Sequence, residues 1–383
     1  MSMVVFTDPG RMPVLVADSL ISGPDDESAL TTPDHPHGVS GVFPPKSGFV
    51  PTYLARKTCL IGSNLALAMV GGVIHMRAFR EDLQAHFRDR ADASAPDLNS
   101  FLNEYAVDKH GKIVLANLDA LLMCTRRVDE DRHLYFVRSA GANPASVITQ
   151  ESKNLGGVLA IGCGAEPLKV AIDAIDSYAF SGIGKSEDWN ASHEAIAKNL
   201  ALIAQLHKVD ELTGRMLIGY WGGGYEVIYR QVGDGLAYLN DYTILFWTLD
   251  LEDEGSECWP EGFIKYKRRD DCSILVSYRQ GEFTLKGMVD VGMRRRPLTI
   301  ERPDREYLNS SIHMNVVCLV ASRRLISMFH FCHLYKRGKS NPSMVFMRDD
   351  GRAEIYMPET WKREMSQFIR ESERKRRKKR SGE

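Results

Sequence analysis

An α+β fold of layered sheets with helices outside is the architecture this sequence predicts, on three observations. Through residue 245 the segments come in blocks (strands, two helices, strands, two helices, strands), where strict alternation would instead signal βαβ units. The chain has 383 residues, more than one small core organises and enough for two or three domains. Its 44% hydrophobic and 26% charged content is that of a soluble globular protein.

The elements follow in order. "MVVFT" and "MPVLVADSLIS", split by "DPGR", read as a hairpin of β-branched runs about a Pro-Gly turn. Residues 23–55 are rich in Pro, Gly, Asp and Ser and read as one long loop, a length typical of functional or disordered segments. "KTCLIGSNLALAMVGG" supplies two short strands ending at a glycine pair. An amphipathic helix follows in "VIHMRAFREDLQAHFRDR", with Ile74, Phe79, Leu83 and Phe87 near helical spacing. A second helix is expected over 97–107. "KIVLANLDALLMCTRRV" and "RHLYFVRSAG" read as a long hairpin.

"GGVLAIGCGAE" is a buried strand running through a glycine turn into a helix over about 165–176, and "EDWNASHEAIAKNLALIAQLHKVDE" is the clearest helix in the chain. "GGGYEVIYRQ" and "GLAYL" make another strand pair. Residues 246–365 read as a mixed α/β extension, with hairpins at "SILVSYRQGEFTLKGMVDVGM" and "SMVFMRDDGRAEIYM", and "PETWKREMSQFIRESERKRRKKRSGE" as a terminal helix decaying into a basic tail over 366–383.

Composition excludes several classes. A net charge of −1 gives no overall field toward nucleic acid or membrane. The seven cysteines are scattered without a CxxC pair, which argues for reduced thiols and against a disulfide framework or zinc site. No signal peptide and no apolar run of about 18 residues is visible, so a cytoplasmic protein without a membrane partner is expected. The first strand nevertheless begins at residue 3, where ordering each residue costs about 1–2 kcal/mol. A chain folded so early is expected to use its own terminus, and the group there is Ser2 once Met1 is removed.

Residues 1–245 resemble proteasome-type subunits of the N-terminal nucleophile (Ntn) hydrolase superfamily. The residues that carry this are "VLVADS", "KTCLIGSNLALAMVGG", "LAIGCGAE" and "GGGYEVIY", in the superfamily's order of elements. The resemblance implies a four-layer αββα Ntn sandwich, with residues 23–55 as a loop insertion. It also implies that Ser2 is a nucleophile whose own α-amine is the base, an amine titrating near 7.7–8.0 when unperturbed. Asp18 stands sixteen residues after Ser2, the superfamily's separation of nucleophile and acid. Lys57 matches the electrostatic lysine, with Arg56 as the register alternative, and Gly71 matches the backbone oxyanion donor. Two departures bear on turnover. The superfamily's catalytic Ser in the "GSG" turn is Cys163 here, and its late Asp and Ser fall on Gly219 and Gly222.

Other signals carry less. "AFSGIGKS" fits a relaxed phosphate-loop pattern but is preceded by helix rather than strand. "DHPH" (Asp34, His35, His37) and "HFCH" (His330, Cys332, His333) lack a second half at zinc spacing, and read as a flexible loop and a packed face. No metal or other cofactor is expected. "ERKRRKKR" (Glu373 to Arg380) is a charge run able to meet nucleic acid or an acidic partner, without aromatic residues for base stacking. Two functions remain: an Ntn-type hydrolase of amide or peptide bonds acting through Ser2, or a catalytically silent scaffold. In either, the resemblance implies a homo-oligomer, dimer or ring.

Overall fold

The computed structural model describes residues 2–24, 30–38, 48–90, 92–128, 133–141, 147–177, 180–181, 189–219, 221–232, 235–251, 253, 255–269, 272–279, 281–291, 312–321, 327–336, 344–347 and 352–381. The fold is mixed α+β, with helices packed on several sheets.

The first hairpin is β1 (Met3–Thr7) and β2 (Val14–Asp18), paired antiparallel from Val4↔Ala17 to Thr7↔Val14. It lies at the centre of a six-stranded antiparallel sheet. β10 (Gly156–Gly162) and β9 (Ile148–Ser152) continue it on one side; β12 (Tyr225–Arg230) and β13 (Leu236–Tyr238) continue it on the other. A four-stranded sheet holds β5 (Thr58–Ile61), β6 (Leu65–Gly71), β7 (Leu118–Arg127) and β8 (His133–Gly141).

Strand alternation makes the two sheets stack. Val4, Phe6, Leu15 and Ala17 from one meet Ala66, Ala68, Val70, Leu121 and Met123 from the other in a single buried cluster. The opposite face of the four-stranded sheet (Leu65, Leu67, Met69, Ala120, Leu122) packs on α1 (Val73–Phe87), α2 (Ala95–Val107) and α3 (Lys109–Leu115). In α1 the buried stripe is Met76, Phe79, Leu83 and Phe87, while Ile74 is exposed. The first turn is thus rotated relative to the stripe expected from sequence. Ser94 caps α2 by accepting from the Asp97 amide at 3.2 Å, and "KIVLA" is helix α3 rather than the start of a strand.

On its other face the six-stranded sheet carries α4 (Ala165–Ser177) and α5 (Ala191–Thr213). Asn190 and His193 form a reciprocal capping box at the start of α5, and left-handed Gly214 ends it. The short α6 (Arg215–Ile218) follows at once. Helix α5 is buried along almost its whole length because a third sheet covers its far side. That nine-stranded sheet is built around β14 (Asp241–Leu249), β15 (Trp259–Arg268), β16 (Ser273–Arg279) and β17 (Glu282–Asp290).

The residue-245 boundary expected from sequence falls inside β14. The same sheet also recruits β3 (Leu20–Pro24) and β4 (Phe49–Arg56) from the segment read as loop, with β4 parallel to β17. The apolar stretch after residue 311 forms β18 (Ile312–Ala321) and β19 (Ser327–Lys336), an antiparallel pair that meets the two-residue β11 (Phe180–Ser181). β20 (Met344–Met347) and β21 (Ala353–Tyr356) pair as the hairpin that was expected. Tyr242, Ile244 and Phe246 face the α5 core, whereas Leu245, Trp247 and Leu249 face α7 (Glu359–Ser381). Helix α7 persists to Ser381 with no decay at residue 366. No helix among the described residues is long and apolar enough to cross a membrane.

Candidate active site

The end of the first hairpin and the gap between β4 and β5 converge on one buried polar cluster. Ser2 precedes β1, Asp18 ends β2 and Lys57 is the single residue between β4 and β5; they are 2%, 0% and 0% exposed. The Lys57 ammonium donates to Ser2 Oγ at 2.6 Å, to Asp18 Oδ1 at 2.9 Å and to the Leu20 carbonyl at 2.6 Å. Three acceptors exhaust its three protons, so the side chain has one orientation. Asp18 is held from the backbone side as well. Its Oδ1 accepts from the Met3 amide at 2.8 Å, and its Oδ2 from the amides of Gly222 at 3.0 Å and Leu20 at 3.3 Å. Burial pushes the Lys57 ammonium below its ordinary value of 10.5, with the charge and hydrogen bond of Asp18 opposing the shift.

Arg56, the register alternative, turns away. Its Nε pairs with Asp290 at 2.6 Å and its Nη1 donates to the Arg269 carbonyl at 3.1 Å. Lys57, and not Arg56, reaches Ser2.

The "GCG" turn wraps Ser2 from the other side. Gly162 has φ +92°, and a Cβ there would run into the Ser2 carbonyl oxygen, so only glycine admits this approach. Cys163 is an exposed residue, yet its sulfur turns inward to the carbonyls of Ser2 at 3.4 Å and Gly219 at 2.9 Å. Desolvation of the sulfur and the nearby Asp18 charge raise the thiol above its ordinary 9.0, which keeps it protonated at neutral pH. Gly71 ends β6 with φ +126°, and a Cβ there would stand 2.5 Å from the Asn117 carbonyl oxygen, whose acceptor is taken by the Gly72 amide at 3.0 Å.

The late glycines do not leave the site bare. The Gly222 amide is itself a ligand of Asp18, and a Cβ at Gly222 would lie 4.0 Å from Asp210 Oδ2 on α5. Asp210 accepts from the Met216 amide at 2.9 Å and faces His35 Nε2 at 3.4 Å. Asp34, 3% exposed, meets His207 Nδ1 at 2.8 Å. The "DHPH" segment expected to be flexible is therefore pinned to α5 by two carboxylate–imidazole contacts. Among the described residues no group of three or more His, Cys, Asp and Glu side chains is arranged to hold a metal ion.

Sequence reasoning missed Glu226. This β12 carboxylate is fully buried beneath the lysine: its Oε2 accepts from the backbone amide of Lys57 at 3.0 Å and from Thr58 Oγ1 at 3.0 Å. Its Oε1 accepts from Arg268 Nη1 at 2.8 Å and Tyr266 OH at 3.2 Å, both on β15, and the Arg268 guanidinium stacks 3.4 Å over the Tyr238 ring. Burial raises the Glu226 carboxyl above its ordinary 4.5, against the charges of Arg268 and Arg56. A lone Glu inside the apolar strand "YEVIY" was the available signal, since a buried carboxylate needs partners.

No protein-family model matches the chain. No curated protein matches it. Among solved structures, the chain is similar to the crystal structure of eukaryotic HslV from Trypanosoma brucei at 12% identity and a TM-score of 0.33, over 59% of this chain and 98% of that one.

Proposed function

We propose that this chain is a proteasome-like Ntn hydrolase of amide or peptide bonds, with Ser2 as nucleophile. The observation that carries the reading is the buried contact of Lys57 Nζ with both Ser2 Oγ and Asp18 Oδ1. An ordinary surface serine has no reason to sit at the end of a fully enclosed lysine–carboxylate pair, whose burial is costly unless well partnered. In a chain whose Met1 has been removed, the Ser2 amine takes the Oγ proton as Oγ attacks the substrate carbonyl carbon. The carbonyl π electrons move to oxygen, and the Gly71 amide meets the resulting oxyanion. Collapse expels the amine with the proton, and water then hydrolyses the Ser2 ester. Lys57 and Asp18 hold the field around this transfer, and a depressed lysine sheds its own proton more readily than one in water. The protonated Cys163 thiol supports Ser2 as the attacking group.

The enclosure itself favours a second reading, in which the same network is a scaffold and the chain acts by assembling with copies of itself. Ser2 is only 2% exposed. A peptide epoxyketone, which reacts with a hydroxyl and its adjacent amine together, separates the two readings by intact and peptide mass. An adduct on Ser2 with Met1 gone, lost in Ser2→Ala, supports the hydrolase. Met1 retained, or a trimmed Ser2 that stays unmodified, rejects it in favour of the scaffold.

A further inference from the structure

We propose that the last two turns of α7 form a docking surface for duplex DNA, entering its major groove. The inference is independent of Ser2 chemistry. Helix α7 has two unlike halves. In the first, Trp361, Met365 and Ile369 follow at four-residue spacing and are 6%, 0% and 0% exposed. They pack on Leu245, Trp247, Leu249 and Phe263 of the nine-stranded sheet. Arg370 then fixes the point of departure, with Nη2 donating to the carbonyls of Asp253 and Ser256, each at 3.0 Å.

Beyond it the sequence "SERKRRKKRS" contains no apolar residue, and positions 374 to 380 are basic without interruption. Arg374, Lys375, Arg377 and Lys378 are exposed. The chain as a whole stands at −1, so this field is local.

Helix geometry decides the kind of partner. Successive positions are about 100° apart, so the exposed Arg374, Lys375, Arg377 and Lys378 present charge over about half of the helix circumference. Stable anchoring on a membrane surface takes an apolar stripe or a lipid chain beside the basic charge, and the segment has no apolar residue; single-stranded nucleic acid is bound largely by aromatic stacking, also lacking here. The B-DNA major groove is about 12 Å wide, takes an α-helix of about 10–12 Å with side chains, and lines it with phosphates on both walls. The deep, narrow major groove of A-form RNA does not admit such a helix. No base-reading pattern is evident, so the contact is to phosphates and independent of sequence.

The test uses the full chain and fluorescence anisotropy with a labelled mixed-sequence DNA duplex of about 24 base pairs, across a salt series. Each phosphate neutralised contributes about −0.9 to the slope of log K against log salt, so four give a slope of about −3.6. Arg377→Gln with Lys378→Gln should weaken binding at least tenfold and flatten the slope by about two. Lys109→Gln with Lys112→Gln on α3, an equal change of net charge, should leave both unchanged. Glutamine keeps helix propensity, and an unchanged far-UV circular dichroism spectrum confirms a folded variant. Arg374→Gln with Lys375→Gln is the second pair should the first misfold. No duplex binding at about 50 mM salt overturns the proposal. So does equal weakening by the α3 pair, or tighter binding of a double-stranded RNA, a poly-glutamate peptide or phosphatidylserine vesicles.

Discussion

Replacing Lys57 by methionine keeps an unbranched side chain, one atom shorter, and removes the ammonium that joins Ser2, Asp18 and the Leu20 carbonyl. Removing one partner of a buried ion pair costs about 3–5 kcal/mol. Here Asp18 retains the amides of Met3, Leu20 and Gly222, which offset part of the loss. The Leu20 carbonyl meanwhile loses the lysine as donor. The expected destabilisation is therefore about 2–4 kcal/mol. A chain of 383 residues unfolds with roughly 0.8 kcal/mol/K of entropy, so Tm should fall by about 3–5 °C. Thermal unfolding followed by circular dichroism reads this directly.

The pH dependence adds an independent check on the same variant. The folded-state value of Lys57 is depressed, so as pH rises from that value toward 10.5 the folded chain has released a proton that the unfolded chain still holds. Stability should rise through that window, and the rise should be missing from Lys57→Met. A Tm within about 1 °C of the parent, together with identical pH profiles, would show that the ammonium is not in the enclosed network and would remove the basis of the site.

Three further outcomes follow from neighbouring contacts. Glu226→Gln leaves either the Lys57–Thr58 donors or the Arg268–Tyr266 donors facing an amide, and should cost about 2–4 kcal/mol in urea denaturation. Because burial raises the Glu226 carboxyl, the folded parent keeps its proton above pH 4.5 when the unfolded chain has lost it. The parent should lose stability relative to this variant as pH rises through that window, and a flat difference would contradict the buried placement. Gly162→Ala, at φ +92° and against the Ser2 carbonyl, should cost well over 3 kcal/mol or block folding. Gly10→Ala, at φ +62° with open space around it, should cost only about 1–2 kcal/mol, and similar losses at both sites would contradict the close approach. Burial disfavours the His35 imidazolium, but the hydrogen bond and charge of Asp210, aided by Asp34 and Glu211, hold its titration above the ordinary 6.5. The stability it contributes is complete below 6.5 and fades as pH rises through the folded value. His35→Phe should therefore be relatively more harmful in acid, and a loss independent of pH would argue against the Asp210 contact.

Much of this protein was written in local pattern. The hairpin about "DPGR", the strand–turn–helix at "GCG", the capped and Gly-terminated α5 and the strand at "YEVIY" follow from turn residues, caps and apolar runs within a few positions of one another. Ser2, Asp18 and Lys57 were singled out by the superfamily resemblance their motifs carry, and in the structure the Lys57 ammonium contacts both of the others. What local pattern could not carry was decided by contacts between distant segments.

Whether Lys57 or Arg56 reached Ser2 depended on the register at the β4–β5 junction, and a one-residue slip exchanges the faces. Asp290 on β17 gave the Arg56 guanidinium a partner elsewhere. The 23–55 segment read as loop because β3 and β4 take their partners from each other and from β17, more than two hundred residues away. Its "DHPH" run looked mobile because His207 and Asp210 lie on another helix. Glu226 was visible as a lone acid in an apolar strand, but its partners on β15 became neighbours only when the third sheet closed over α5. Sequence spacing determines which residues share a turn or a strand. Which buried charge meets which partner is set by packing across sheets, where leaving a polar group unpaired costs as much as the pairing contributes.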